Sequence, residues 1–220
     1  MARVATSLAP FGIGTGSEGI ADITGLQVVM DFYTYMAKIG AAYQVRAGTI
    51  TTPLVGDVVL TDAAAEYSVD ALLGTTLIPV FQNISLRLMA TLALEMATKS
   101  VGAVSTAGTA FVPLALLPGG AAAVSTARVS AAGGVTVTAE LATTTRRHWS
   151  YSNPTGNTTA GTNLGIYAFP PLEWSPRALA APLFLKGPAC LYTQIAAATT
   201  GPSFFANLDY LEGPTATLLG

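Results

Sequence analysis

Hydrophobic and polar residues alternate with a period of two in several stretches of this chain, the pattern of a strand with one buried and one solvated face. The clearest is Asn83-Ile84-Ser85-Leu86-Arg87-Leu88-Met89, which sets Ile84, Leu86 and Leu88 on one face and Asn83, Ser85 and Arg87 on the other. Leu77-Ile78-Pro79-Val80-Phe81 leads into it. Ala42–Arg46 alternates until Gly48 breaks it, and Thr49–Pro53 resumes an extended path. Pro53 has no N–H to donate, which places it at a strand end or edge. Val58-Val59-Leu60 and Glu66–Ala71 follow, the latter ended by Gly74. Val28–Met36, dense in β-branched and aromatic residues, predicts the first strand. From Leu86 to Lys99 the Leu, Met, Ala and Glu content also suits a helix, but the alternation upstream favours a long strand. Near the end, Cys190–Ala196 and Ser203–Glu212 flank the turn residues Thr199-Thr200-Gly201-Pro202, which predicts two antiparallel strands closing the domain.

The middle third, Val101 to Leu141, consists of short apolar pieces cut by Gly and Pro. Ala121–Val129 and Val135–Leu141 flank Gly133-Gly134 and form the best hairpin candidate in the sequence. Residues 152 to 165 carry turn residues throughout and predict an exposed polar tip. Residues 1 to 25, rich in Gly, Ala, Ser and Thr, sustain no period and read as an extended arm. Within them Gly14-Thr15-Gly16-Ser17-Glu18-Gly19 fits the G-x-G-x-x-G pattern. A dinucleotide loop needs a buried strand before it and a helix after it. Here Pro10 and further glycines precede it and no amphipathic helix follows, so the arm reading prevails. The division is an N-terminal arm, 1–25, and a single domain, 26–220. The fold class expected is all-β, an antiparallel β-sandwich.

Composition changes the picture in one direction. Only 10% of the 220 residues are charged and 51% are hydrophobic, against roughly 25% charged in an ordinary soluble domain. Such a surface is poorly hydrated and suits burial against other subunits. The formal charge is -2, and the first 25 residues contain one cation, Arg3. There is no basic arm to neutralise packaged nucleic acid, so any genome contact is expected to be indirect. The N-terminus lacks the continuous apolar run of a signal peptide. The stretch between Lys99 and Arg128 has no ionisable side chain, but Gly102, Gly108, Pro113, Pro118, Gly119 and Gly120 interrupt it too often for a spanning helix. Cys190 is the one cysteine, so no intrachain disulfide forms, and its apolar neighbours predict burial.

Candidate chemistry is sparse. His148 is the one histidine, which excludes metal sites built on two or three imidazoles. It follows Arg146-Arg147 and precedes Trp149 and Tyr151. Cations beside aromatics suit either nucleic-acid contact, by stacking and phosphate binding, or a charged strand end at a subunit contact. The second is the preferred reading. Asp62, Glu66 and Asp70 are spaced by four, but across strand and turn rather than along a helix, and read as solvated or interface acids. No G-x-S-x-G elbow is present. Asn83-Ile84-Ser85 and Asn157-Thr158-Thr159 match the N-glycosylation pattern by chance in a chain without an export signal. Phe204-Phe205, Tyr33 and Tyr35 are expected in core and interface packing. No catalytic residue, cofactor site or metal site is assembled, and an enzyme is not expected.

The Gly-rich arm, eight or more strands between Leu26 and Glu212, long Thr/Ala/Gly/Pro connections and the closing pair Ala189–Glu212 together resemble viral coat proteins of the single jelly-roll type. That resemblance covers nearly the whole chain and rests on no diagnostic motif. It implies two four-stranded antiparallel sheets with Greek-key connections, and arms exchanged between neighbours. It also implies trimers or pentamers tiling an icosahedral capsid, assembled in the host cytoplasm. The partners implied are copies of the chain itself and a second capsid protein, with weak or indirect nucleic-acid contact and peripheral contact with an internal membrane. No site residue carries over. A rival from another class is a carbohydrate- or receptor-binding β-sandwich of a phage fibre or spike, with Trp149, Trp174 and Tyr167 lining an exposed groove.

Overall fold

The computed structural model describes residues 20–21, 27–28, 32–49, 51–88, 93–152, 172–175, 183–198 and 201–219. In chain order the elements begin with β1 (Ile20–Ala21), β2 (Gln27–Val28), α1 (Phe32–Lys38), β3 (Ala42–Ala47), β4 (Leu54–Val55), β5 (Ala64–Ala65) and β6 (Tyr67–Ala71). Then come β7 (Thr75–Leu88), β8 (Ala93–Val101), β9 (Thr106–Ala107), β10 (Thr109–Phe111), β11 (Leu114–Ala115), β12 (Thr126–Val129) and β13 (Val135–Thr136). The last are β14 (Thr145–Ser152), β15 (Leu172–Trp174), β16 (Leu185–Lys186), β17 (Ala189–Ala197), β18 (Ser203–Pro214) and α2 (Thr215–Leu218).

Two antiparallel sheets pack face to face, one in the order β10-β12-β6-β17-β8-β14 and the other β11-β3-β18-β7-β15, with β16 beside β7 and β4 beside β18. Alternation decides what lies between them. Tyr67, Leu94, Met96 and Ile195 from the first sheet meet Val45, Leu77, Ile84 and Phe204 from the second in one core. Each such side chain contributes roughly 1.5–3 kcal/mol when fully buried, so this layer is the main source of stability. The class is an all-β antiparallel sandwich, as the pattern predicts.

The strand pairing is nested. β3 pairs with β18, β6 with β17, β7 with β15 and β8 with β14. The chain thus forms a long antiparallel ribbon, reversed between β8 and β14 and wrapped so that successive rungs fall in alternate sheets. Pairing of β18 with β7 and of β17 with β8 joins the rungs into sheets.

Several expectations need correction. Cys190–Ala196 and Ser203–Glu212 are strands, but they do not pair with each other: β17 lies between β6 and β8, and β18 between β3 and β7. The connection crosses from sheet to sheet at Gly201, where an added Cβ would sit 1.8 Å from the Gly56 carbonyl oxygen. The Gly133-Gly134 hairpin is also absent. The chain reverses there, but Ser130 N–H donates to the Glu66 carbonyl and Ala132 N–H to that of Val55. These anchors send β12 to the large sheet and β13 to a small one.

Residues 32–36 of the predicted first strand are helical, because Met36 with Phe32 and Tyr33 finds an apolar seat on Ile78 and Leu211, which outweighs the weak β preference of the aromatics. Thr49 and Thr52 exchange backbone hydrogen bonds, which closes the chain on itself there instead of the extended path expected over Thr49–Pro53. Val58 and Val59 form a bend with exposed side chains, next to an isolated parallel bridge from Asp57 to Ala196. Of the stretch from Leu86 to Lys99, Leu86–Leu88 belong to β7 and Ala93–Lys99 to β8, strand rather than helix, and residues 89–92 lie outside the described residues. Gly74 turns β6 into β7 at φ +86°. Residues 153–165 of the expected polar tip and the glycine pattern at 14–19 lie outside the described residues.

A third layer covers the outer face of the first sheet. β5, β13 and β9 form a small antiparallel sheet whose Ala65 and Val135, with Val137, pack on Val101, Cys190 and Tyr192. All nine residues of β17 are therefore buried. On the second sheet, α1 and α2 cover the end near Ile78 and Leu211.

Candidate functional site

The Arg146–Tyr151 cluster lies on β14, which among the described residues ends the first sheet on the side opposite β10. Adjacent strand residues project to opposite faces, so Arg146 and His148 share one face while Arg147 and Trp149 share the other. The two arginines therefore do not form a single phosphate clamp. Arg146 Nη1 is 3.0 Å from Glu140 Oε1. Arg147 and His148 are exposed, and Trp149 is half-buried against the sandwich core.

Asp62, Glu66 and Asp70 separate onto three networks, and two of them are buried rather than solvated. Glu66 is 1% exposed. One of its carboxyl oxygens accepts from Asp57 N–H at 3.1 Å and the other from Ile195 N–H at 2.8 Å. Burial pushes this carboxyl up to about 8, against the lowering effect of those amides, and the nearby Asp57 charge adds to the rise. Asp70 accepts from Ser105 N–H and Oγ–H, each at 2.8 Å, with Arg128 Nε at 3.7 Å. Asp62 is exposed and joins Glu140 around Lys99, whose Nζ lies 3.2 Å from Asp62 Oδ1 and 2.9 Å from Glu140 Oε2. That hydrogen bond and charge hold Glu140 below its ordinary range, with Arg146 assisting. Sequence reasoning missed Glu66 and Asp70 as buried anchors; the signal available was an acid flanked by Ala65 and Tyr67.

Cys190 is buried, and burial together with the Asp70 carboxylate pushes its thiol well up, so it is no nucleophile. Phe204 is in the core. Phe205 is half-buried and, with Arg46, Leu54, Phe111 and Leu114, lines an open groove of about 830 Å³. Among the described residues no acid, histidine or cysteine lines that groove. Tyr33 and Tyr35, both on α1, pack partly buried against the apolar cluster of Met36, Ala42, Ile78 and Leu211. Asn83 sits inside β7, where its Nδ2 donates to Glu173 Oε1 at 3.2 Å and its Oδ1 accepts from Ser85. Tyr167 and Asn157 lie outside the described residues, as does the Trp174 side chain.

Among the described residues no three His, Cys, Asp or Glu side chains converge as metal ligands, and no helix is long and apolar enough to cross a membrane. What the structure presents instead is a densely anchored sandwich with an eight-residue sheet margin and exposed apolar connections. The chain matches no known family model, no curated protein and no solved structure.

Proposed function

We propose that the chain is a structural subunit of the single jelly-roll type that self-assembles into an icosahedral capsid. The observation that carries this reading is the strand order. Numbered one to eight, the nested strands β3, β6, β7, β8, β14, β15, β17 and β18 give the sheet orders 1-8-3-6 and 2-7-4-5. Wrapping a ribbon of two Greek keys into a sandwich generates that order.

The surface supports it. Val112, Leu114, Leu116 and Leu117, in one connection, are 42–56% exposed. Val58, Val59 and Leu141 are exposed by half or more. Apolar area of this kind is characteristic of contact surfaces, and with few charges there is little long-range repulsion between identical copies. Apolar burial contributes on the order of 25 cal/mol per Å², and each association costs several kcal/mol of rigid-body freedom. Modest contacts repeated around each subunit then stabilise a closed shell although each pair is weak.

On this reading the partners are other copies in trimers or pentamers, a second capsid protein and, peripherally, an internal membrane. The location is the virion, and genome contact is indirect because cations are few. Trp149, which a carbohydrate groove would need open, is half-buried on the core, and this weighs for the coat reading over a fibre lectin. Negative-stain imaging of the purified chain tests the choice: closed particles are expected, and discrete small oligomers that bind a glycan array would favour the lectin.

A further inference from the structure

β14 pairs with β8 through eight consecutive residue pairs without a register shift. Among the described residues no strand lies along its other edge. The other outermost strands on the two sheet paths, β10, β11 and β15, have three, two and three residues. A free edge presents a row of unpaired N–H and C=O groups, which proteins guard with bulges, prolines or charges. β14 contains no proline, and Glu140 neutralises one of its two arginines. Thr145, Arg146, Arg147, His148 and Ser150 are exposed.

We propose that β14 is an assembly edge: it pairs antiparallel with β14 of a second copy across a two-fold axis at His148, joining two six-stranded sheets into one. The proposal rests on the self-assembly reading and says where one of its contacts lies.

Symmetry restricts the register. A two-fold axis normal to the sheet preserves which face is inward, so residues directly opposite must share a face, and the axis must pass through a residue paired with its own copy. Trp149 marks the inward set, 145, 147 and 149. An axis at Arg146 or Arg147 would set like charges opposite each other, which destabilises a cross-strand pair. An axis at Trp149 would bring together two indoles, each already packed on its own core. At His148 those conflicts vanish. Arg147 then lies opposite Trp149 of the second copy, twice over, placing an exposed guanidinium beside a half-buried indole. Arg146 meets Ser150. The edge is thus complementary to itself, which favours a second copy over an acidic peptide.

Cys190 is buried, so a thiol introduced on β14 is the accessible one. His148→Cys is expected to cross-link under mild oxidation into a disulfide-bonded dimer, and Ser150→Cys, which faces position 146, is not. Exposed His148 also tolerates charge. His148→Lys and His148→Glu are each expected to weaken self-association roughly tenfold by placing like charges opposite, and a mixture of the two to restore it. Particles that form without cross-linking at position 148 would overturn the edge while leaving self-assembly intact. A cross-linked dimer that never forms particles would support the edge and count against the shell. Equal association of the Lys variant, the Glu variant and their mixture, or capture of an acidic peptide by β14 of a lone chain, would overturn the proposal.

Discussion

Gln82 Nε2 donates a 2.8 Å hydrogen bond to Thr193 Oγ1 across the interior of the sandwich, tying β7 of one sheet to β17 of the other. The same amide nitrogen bonds Tyr67 Oη, and its Oε1 accepts from Thr98 Oγ1 at 3.0 Å. One glutamine, 1% exposed, thereby satisfies groups from three strands of the facing sheet. Apolar packing alone permits the sheets to slide, whereas this network fixes their relative position. Gln82→Leu keeps the volume but strands buried hydroxyls, and should cost about 1–3 kcal/mol in urea unfolding. An unchanged midpoint would show that the network does not couple the sheets.

Glu66 makes stability depend on pH. The folded state keeps its proton up to about pH 8, while an ordinary carboxyl releases it near 4.5. The contribution is full below 4.5, falls as pH rises through that window by at most about 1.4 kcal/mol per pH unit, and is lost above 8. Glu66→Gln should flatten this part of the profile of Tm against pH. The same slope in both proteins would contradict the assignment.

Lys99 holds the third layer by bonding Asp62 and Glu140 on two separate connections. Lys99→Met leaves the two carboxylates without their shared cation, so the small sheet should open locally. Hydrogen exchange at Val135 and Val137 should accelerate while that of β18 stays slow. Uniform acceleration of both would mean that the layer has no independent stability.

Cys190 should resist thiol reagents in the folded protein, because it is buried and its thiolate is disfavoured. Labelling is expected at the rate of unfolding in denaturant, and rapid labelling of the native chain would contradict its placement under the third layer.

Arg147 tests the meaning of the basic cluster. Arg147→Ala should weaken self-association and leave nucleic-acid content unchanged. Intact assembly with loss of bound nucleic acid would reassign the cluster to genome contact.

Strand positions were legible because alternation reports exposure residue by residue, as at Ile84 against Ser85 or Leu208 against Asn207. Pairing was not, because alternation is local. The Gly133 and Gly201 turns announce that the chain reverses, yet whether it returns to the same sheet depends on distant anchors such as the Val55 carbonyl and the Gly56 backbone. The helix at Phe32–Lys38 was hidden for the same reason: its aromatic residues favour strands until Ile78 and Leu211 provide a seat. Of the candidate cluster, the sequence placed Arg146, Arg147 and Trp149 together but not on a strand that ends its sheet among the described residues. Glu66 and Asp70 read as solvated acids because the amides and hydroxyl that solvate them lie on other segments.

Sedimentation velocity of the purified chain, over a wide range of salt and protein concentration, tests self-assembly most directly. The proposal predicts a fast, discrete species far larger than any small oligomer, formed without nucleic acid. A single slow species of monomer mass under every condition would contradict it.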